Sequence, residues 1–316
     1  MRGSVLPLGL DIGSRRIRLA RVERARCGKP RLMAVAAREV EDESSDEILA
    51  MAVEELAHEV GGRRRTCVLA MPSEQVFLAA VHLPKMGWAE RRRAAAFEAA
   101  RCAPWDVRED ATVVRIRSID ARNALHALGL VRKRDLERRV AIVRRAGLRA
   151  VRVDHEGCAL RRAFPSADAV LDVGLRRTTL HAFAAAGLQS YGAAIGGGAI
   201  TRAIGSDLKI DAAMAEKRKR VLGTAGAGEG ARRELLVQAG LLIERARAAA
   251  PIRRIALVGN GSRLPSVGAE LESMTGCIVE LVVSELLRDG EYPEDVLCAA
   301  APDWALAAAL ARWGQP

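Results

Sequence analysis

The chain has few aromatic residues, which together make up 3% of its 316 residues. Half of all residues are hydrophobic, and a chain of this length can bury a large core. Alanine, valine, leucine and isoleucine are therefore expected to fill that core. The length is typical of about two domains.

The sequence also lacks the short cysteine and histidine spacings that mark metal and redox sites. No two of its six cysteines form a CxxC pair, and its five histidines form no HExxH motif. A disulfide framework is one interpretation of the cysteines, but buried thiols of a cytoplasmic protein are the favoured one. The cysteines occupy positions 27, 67, 102, 158, 277 and 298.

Long apolar runs are missing as well. None approaches the ~18 to 20 residues that a membrane-spanning helix needs. The N-terminal segment has no apolar region and cleavage site of a signal peptide. The sequence therefore predicts a soluble, cytoplasmic protein.

Basic residues are in excess and give a net charge of +11 and a pI of about 10.0. Such a charge favours nucleic acid or an anionic membrane surface as a partner. The arginines are spread along the chain, however, which is typical of a compositional bias. The basic run AEKRKR (215–220) has no aromatic platform beside it, so a solvated helix face is its simpler interpretation.

The hydrophobic pattern alternates between strand and helix periods. Because hairpins interrupt the alternation, we expect an α/β fold with mixed sheets and helices on their faces. Strands are predicted at 8–22, 31–40, 66–72, 76–84, 111–119, 124–131, 150–154, 169–185 (as a hairpin) and at the start of 253–264. Helices are predicted at 46–60, 88–103, 133–146, 156–163, 199–208, 211–221, 231–249 and 303–312.

One ten-residue pattern occurs twice. LDIGSRRIRL (10–19) and LDVGLRRTTL (171–180) align at a constant offset of 161 residues. In each copy an aspartate ends an apolar strand and a glycine follows two residues later. A chance similarity is the alternative, but the shared Asp-x-Gly context favours a duplication, with a functional site between two related lobes.

The two copies have the chemistry of an anion site. A glycine at a hairpin turn lets backbone N–H groups approach an anion, because no Cβ stands in the way. The hydroxyl of Ser14 or Thr178 would add a hydrogen bond, and Arg16 or Arg18 would balance phosphate charge.

The aspartates of the two copies, Asp11 and Asp172, would suit Mg²⁺ held through water, since this ion gives up its water reluctantly. The alternative for either acid is an ordinary strand-end aspartate that caps a turn.

The chain contains two further glycine motifs. In IALVGNGSRLPSV (255–267) a strand leads into the Gly259–Ser262 loop and a helix start, a common seat for phosphate or adenosine. Gly196, Gly197 and Gly198 precede another predicted helix. Turn glycines are the common alternative for the first of these motifs. The glycine-rich segment 223–231 has no Lys-Ser/Thr pair and no preceding strand, so it is not a P-loop.

Together these motifs resemble the two phosphate motifs and the adenosine motif of the actin–Hsp70–sugar kinase superfamily. Within it, the chain most resembles the PilM family, the cytoplasmic actin-like proteins of type IV pilus assembly, which are similar to the division protein FtsA. The resemblance follows nearly the whole chain in order. It includes LPKMGWAERRRAAAFEAARCAPWDVRED (83–110), AIVRRAGLRAVRVDHEGCALRRAF (141–164), AIGGGAITRAI (194–204) and AEKRK (215–219).

The resemblance implies a two-lobed actin/Hsp70-like ATPase fold, with duplicated mixed β-sheets, flanking helices and an inserted subdomain of the FtsA and PilM type. The first lobe would comprise 1–72 and a connecting segment, 151–168. The insertion would span 73–150. The second lobe would span 169–316, with a helical part at about 200–250.

The resemblance also implies ATP and Mg²⁺ in the cleft between the lobes, with the magnesium near Asp11 and Asp172. The residues facing the phosphates would be Asp11, Gly13, Ser14 and Arg18 in one lobe, and Asp172, Gly174 and Thr178 in the other. Glu216 and Lys219 match positions that contact ribose and base, and Gly259, Gly261 and Ser262 would flank the adenosine.

Glu156 falls where actin-like relatives carry the polar residue that positions the attacking water. Phosphoryl transfer needs mainly positioning and charge neutralisation. The sequence offers these without a strong base, so any hydrolysis is expected to be slow.

The implied partner is a PilN-like inner-membrane protein, whose short N-terminal cytoplasmic peptide would lie in the cleft beside the insertion, together with other proteins of the pilus platform. The basic surface would suit anionic lipids of the inner leaflet. Other hypotheses are an active ATPase or small-molecule kinase of the same superfamily, and the cytoplasmic part of a GspL-type secretion protein. A nucleic-acid binder is motivated by charge alone.

Overall fold

The computed structural model describes residues 6–24, 30–41, 44–61, 64–107, 109–120, 124–282 and 301–313. These residues form two five-stranded sheets of the same design and a smaller, three-stranded sheet. Each large sheet combines antiparallel and parallel neighbours, which confirms the predicted mixed sheets.

The first large sheet forms the core of the first lobe. Its strands are β1 (Leu8–Ile12), β2 (Arg16–Arg24), β3 (Pro30–Glu39), β4 (Thr66–Met71) and β8 (Arg149–His155). Their order is β3-β2-β1-β4-β8. The hairpin β1–β2 and the pair β2–β3 are antiparallel, whereas β4 pairs in parallel with β1 and β8.

The second large sheet repeats this design in the second lobe. Its strands are β9 (Ala169–Val173), β10 (Thr178–Ala184), β11 (Gly187–Ala193), β12 (Arg254–Val258) and β13 (Ile278–Leu281). Their order is β11-β10-β9-β12-β13, with the same pattern of antiparallel and parallel pairs.

The register of the two hairpins extends the duplication to single residues. Asp11 pairs with Arg18 in the first hairpin, and Asp172 pairs with Thr179 in the second. These pairs are related by the sequence offset of 161. The predicted internal repeat is therefore a repeat in structure as well.

Helices pack on the large sheets and bury the apolar residues of both. α1 (Asp46–Gly61) and α3 (Lys133–Arg145) pack on the first sheet. α7 (Glu229–Arg247) and α8 (Val267–Thr275) pack on the second, beside α5 (Gly197–Leu208) and α6 (Ala212–Leu222). α4 (Glu156–Ala163) lies on the opposite face of the second sheet.

The three-stranded sheet belongs to the insertion. β5 (Val76–His82), β6 (Thr112–Asp120) and β7 (Leu125–Arg132) pair in the order β5-β7-β6 and pack against α2 (Trp88–Cys102). The insertion is narrower than the predicted 73–150. Its last helix, α3, packs in the core of the first lobe, and β8 begins at Arg149, within the first sheet.

The C-terminal helix α9 (Ala305–Ala311) lies on the first lobe and not, as predicted, in the second. Its alanine-rich face packs against β2 and β3, and its other residues pack against α4. Gly9 on β1 permits this close packing, since a Cβ there would lie 2.0 Å from the Ala307 carbonyl oxygen.

Two strands of the described residues were not predicted: β11 and β13. The helix start expected after the Gly259–Ser262 loop is a 3₁₀ turn, Asn260–Arg263, and α8 follows at Val267.

The four cysteines within the described ranges are free thiols, two of them buried. Cys27 and Cys298 lie outside the described residues. No helix in the described part of the chain is long and apolar enough to cross a bilayer.

Candidate functional site

A cleft between the lobes contains two adjoining chambers. The larger chamber, of about 820 Å³, lies between the first hairpin, α6, the end of β12 and the segment before α9. The smaller chamber, of about 560 Å³, lies between α1, α3 and the turn of the second hairpin. The residues shared by both chambers are Gly13, Ser14, Glu156, Asp172, Gly174 and Leu175.

The two hairpin turns have matching backbone geometry. The Gly13 amide donates to the Arg16 carbonyl at 3.1 Å, and the Gly174 amide donates to the Arg177 carbonyl at 2.9 Å. A Cβ on Gly13 would lie 2.9 Å from that Arg16 oxygen, so the turn needs glycine there. Both turns line the cleft, where small residues leave room for an anion.

The two repeated aspartates differ in their surroundings. Arg18 lies 3.6 Å from Asp11, whereas the corresponding neighbour of Asp172 is the neutral Thr179. Burial raises the pKa of Asp11, opposed by Arg18. Burial, together with the charge of Asp11, raises the pKa of Asp172 to about 6. Asp172 is thus the carboxylate whose charge is less well balanced by the protein.

Glu156 begins α4 and faces both chambers. Its carboxylate accepts hydrogen bonds from the amide and the hydroxyl of Ser73, each at 3.0 Å. Burial and then the nearby charges of Asp172, Glu74 and Asp11 raise the pKa of Glu156 to about 8. The cleft therefore concentrates carboxyl groups in a poorly solvated place.

These carboxylates fit a hydrated magnesium ion. Within the described ranges, no three acidic, histidine or cysteine side chains are close enough together to chelate a metal directly. Asp11 and Asp172 approach the cleft from opposite lobes, and their raised pKa values reflect charge that a cation would stabilise. Mg²⁺ commonly keeps several waters and takes one or two carboxylates.

The raised pKa of Glu156 predicts a pH-dependent gain in stability for Glu156→Gln. Since the folded chain raises this pKa from 4.5 to about 8, the carboxyl favours folding at low pH and loses that effect as pH rises between those values. Gln keeps an oxygen acceptor for Ser73 and carries no charge. We expect the ligand-free variant to gain about 2 kcal/mol in unfolding free energy at pH 8 and far less at pH 5.

Urea denaturation at the two pH values measures this effect. Glu137→Gln, on the exposed side of α3, is the control and should follow the wild type at both. A Glu156→Gln variant that is no more stable than wild type at pH 8 would show that the Glu156 carboxylate is not destabilised by its site.

α6 presents Glu216 to the larger chamber. The Glu216 carboxylate accepts hydrogen bonds from Lys219, Thr201 and Arg220 at 2.5, 2.6 and 3.1 Å. Although burial opposes its ionisation, these bonds lower its pKa. The Lys219 ammonium also donates to Thr201 and to the Gly197 carbonyl, which occupies its three protons. Lys219 thus positions Glu216 and does not line the cleft.

The loop after β12 meets the second hairpin directly. Gly259 has a positive φ of 86°, and a Cβ there would lie 2.2 Å from an Asp172 carboxylate oxygen. Asn260 and Gly259 line the larger chamber. Gly261 and Ser262 are buried behind them, and the Ser262 hydroxyl donates to the Gly259 carbonyl at 2.6 Å. They shape the loop and do not face the chamber.

Four other predicted residues support the second turn from behind. The Gly197 and Gly198 amides donate to the carbonyls of Gly174 and Leu175, and a Cβ on Gly196 would clash with the Gly174 oxygen. Thr178 is fully buried, and its hydroxyl donates to the Ile195 carbonyl. None of the four lines either chamber. The strand neighbour of Thr178, Thr179, lines the smaller chamber and was missed.

Arg16 and Arg18 line the larger chamber, but both are paired with carboxylates. Arg16 contacts Glu39 at 2.5 Å. Arg18 contacts Asp303 at 3.1 Å, from a segment 285 residues away. Asp303 was missed, because nothing in its local pattern points to the first hairpin. Arg139 on α3, which lines the smaller chamber, was missed for the same reason.

Comparison with known proteins shows which family model and which solved structures the chain matches. The family model described as type IV pilus assembly protein PilM matches residues 9–236. Among solved structures, one titled as a PilM–PilN type IV pilus biogenesis complex has a TM-score of 0.84 at 24% identity, covering 97% of this chain and 98% of that one. No curated protein sequence matches the chain.

Two other solved structures are similar in fold. The ethanolamine utilization protein EutJ from Carboxydothermus hydrogenoformans has a TM-score of 0.60 at 16% identity, with 98% and 90% of the two chains covered. A Bacteroides thetaiotaomicron protein titled as having an actin-like ATPase fold has a TM-score of 0.50 at 10% identity, with 89% and 92% covered. The predicted actin-like ATPase fold is confirmed.

Proposed function

The chain belongs to the PilM family of type IV pilus assembly proteins, and from this premise we propose that it binds Mg·ATP in the larger chamber and the N-terminal peptide of a PilN-like membrane protein in the smaller one. In this role it is a cytoplasmic component of the pilus platform, held at the inner membrane through its partner. The observation that carries the proposal is the duplicated Asp-x-Gly hairpin, one copy on each side of the cleft.

The larger chamber offers suitable groups for each part of the nucleotide. The turns at Gly13 and Gly174 suit the phosphates, because backbone amides at glycine turns bind anions. The ordered carboxylate of Glu216 is an acceptor for ribose hydroxyls. Gly259 and Asn260 form the opposite wall, where the base would lie. Asp11 and Asp172 would hold Mg²⁺ through water, and this ion would neutralise phosphate charge.

The same geometry favours slow hydrolysis. Glu156 stands between the chambers, where it would orient a water molecule next to the phosphates. Burial raises the pKa of Glu156 to about 8, so the ligand-free carboxyl is mainly protonated at neutral pH and a bound cation would be needed to ionise it. Nucleotide binding, rather than rapid turnover, is therefore the proposed role of the cleft.

The smaller chamber has the character of a preformed peptide groove. Leu49 on α1 and Ile142 on α3 supply apolar surface, and Gln75 and Arg139 supply polar groups, with 3.3 Å between the Arg139 Nε and the Gln75 Oε1. Such a groove binds an extended segment by its side chains and main chain. Because the chamber adjoins α3 and the base of the insertion, it matches the place that the resemblance assigns to the partner peptide.

Substitution of Leu49 tests the peptide groove. Leu49→Glu places a charge against the apolar side of the chamber, and we expect about a tenfold loss of affinity for the synthetic N-terminal peptide of a PilN-like protein. Ile48→Glu is the matched control. Ile48 is next to Leu49 in the sequence, but its side chain is exposed and lines neither chamber. Fluorescence anisotropy of a labelled peptide measures both. Equal affinity of Leu49→Glu and Ile48→Glu would place the peptide elsewhere.

A further inference from the structure

Asp303 lies in the 3₁₀ turn Pro302–Trp304, directly before α9. Its side chain is only 2% exposed and lies among three arginines: Arg18 at 3.1 Å, Arg263 at 3.8 Å and Arg16 at 3.9 Å. A buried carboxylate is costly unless cations and hydrogen bonds compensate it. The buried charge of Asp303 is therefore stabilised by the three arginines, and Asp303 in turn fixes their positions.

Arg18 connects Asp303 with the magnesium end of the proposed nucleotide site. Its guanidinium lies between two carboxylates, 3.1 Å from Asp303 and 3.6 Å from Asp11. The Trp304 ring lies 6.0 Å from the same guanidinium. Asp303 is the nearer partner and is bound through Nη2, whereas Asp11 lies nearest Nη1.

The same turn also meets the second lobe at the proposed adenosine wall. The Gly259 amide donates to the Pro302 carbonyl at 3.2 Å, and Arg263, from the 3₁₀ turn after β12, contacts the other oxygen of Asp303. One short segment before α9 thus contacts the first hairpin and the loop of the second lobe.

We propose that Asp303 is a positioning residue of the nucleotide site, which holds Arg18 so that the Asp11 carboxylate remains available to hydrated magnesium. The inference rests on the proposed Mg·ATP binding and adds a residue of the C-terminal segment to that site. Asp303 contacts no ligand in this role and acts through Arg18. Groups behind the primary ligands of a metal commonly have this function.

Asp303→Asn removes the charge that competes for Arg18. Asp11 is then the nearest anion to the guanidinium, which neutralises more of its charge. We expect the Mg²⁺ concentration that gives half-maximal enhancement of ATP binding to rise about tenfold, as is typical for residues behind a metal ligand. ATP affinity in EDTA should not fall, because the turns and Glu216 are unaffected and a neutralised Asp11 repels the phosphates less.

The experiment compares wild type, Asp303→Asn, Arg18→Gln and the double variant by ATP titration at a series of Mg²⁺ concentrations. If Asp303 acts through Arg18, its substitution has no further effect once Arg18 is replaced. The double variant lacks both charges of the Asp303–Arg18 pair, so neither is left buried without its partner. Comparison of the double variant with Arg18→Gln therefore still tests the proposal if Asp303→Asn does not fold. Glu270→Gln, which removes a carboxylate paired with Arg232 outside the cleft, is the control.

A selective rise in the Mg²⁺ requirement of Asp303→Asn that disappears in the Arg18→Gln background supports the proposal. An unchanged Mg²⁺ requirement, an equal loss with and without Mg²⁺, or an effect that persists without Arg18 would overturn it. A wild type without Mg²⁺-dependent ATP binding would instead refute the nucleotide site itself.

Discussion

Asp172→Asn should lower the affinity for Mg·ATP by about 100-fold, or about 2.7 kcal/mol. The physical reason is the asymmetry between the repeated aspartates. Arg18 already balances part of the charge of Asp11, whereas no arginine stands at the corresponding place beside Asp172. A hydrated cation in the cleft would therefore be stabilised more by Asp172 than by Asp11. Asp11→Asn should show the same direction of change with a smaller magnitude.

Isothermal titration calorimetry with ATP, in Mg²⁺ and in EDTA, measures this effect. In EDTA, Asp172→Asn should bind ATP more tightly than wild type does, because removing a carboxylate next to the phosphates relieves repulsion. Glu270→Gln again serves as the control outside the cleft. Wild-type affinity of Asp172→Asn in Mg²⁺ would remove Asp172 from the proposed magnesium site.

Gly9→Ala should destabilise the protein by about 3 kcal/mol, the upper part of the usual range for overpacking. The added Cβ would lie 2.0 Å from the Ala307 carbonyl oxygen and 2.4 Å from the Ala311 amide nitrogen. Both are backbone atoms of α9, so no side-chain rotation relieves the clash. The helix must move away from β1, which loosens the packing of α9 on the first lobe.

Chemical denaturation compares this variant with Gly240→Ala. Gly240 lies inside α7, where the nearest side-chain atom, Met274 Cε, would be 3.7 Å from an added Cβ. Alanine is the better helix former, so this control should gain about 0.5–1 kcal/mol. A Gly9→Ala variant as stable as wild type would contradict the packing of α9 on β1.

Local patterns predicted the hairpins well, because the determinants of each turn lie within a few residues. An acid at the end of an apolar strand, followed by glycine, produced the same turn in both lobes. Thr178 was expected at the phosphates, but its side chain is buried behind the turn, and its strand neighbour Thr179 lines the smaller chamber. Neighbours on a strand face opposite sides, and the pattern alone did not fix which side faced the cleft.

Contacts between residues far apart in the sequence could not be predicted from local patterns. The helix at 303–312 was expected, but the lobe on which it packs depends on the absence of a side chain at Gly9, some three hundred residues earlier. Asp303 becomes a partner of Arg18 only through this packing. Lys219 was assigned to the ligand, whereas its three protons are directed to the protein itself.

Calorimetric titration of the wild-type chain with ATP, with Mg²⁺ present and with EDTA, tests directly whether the cleft is a magnesium-dependent nucleotide site. We expect one ATP per chain and an affinity that falls at least about tenfold when Mg²⁺ is removed, because Asp11 and Asp172 then face the phosphates without a cation. No binding at millimolar ATP, or equal affinity in both buffers, would contradict it.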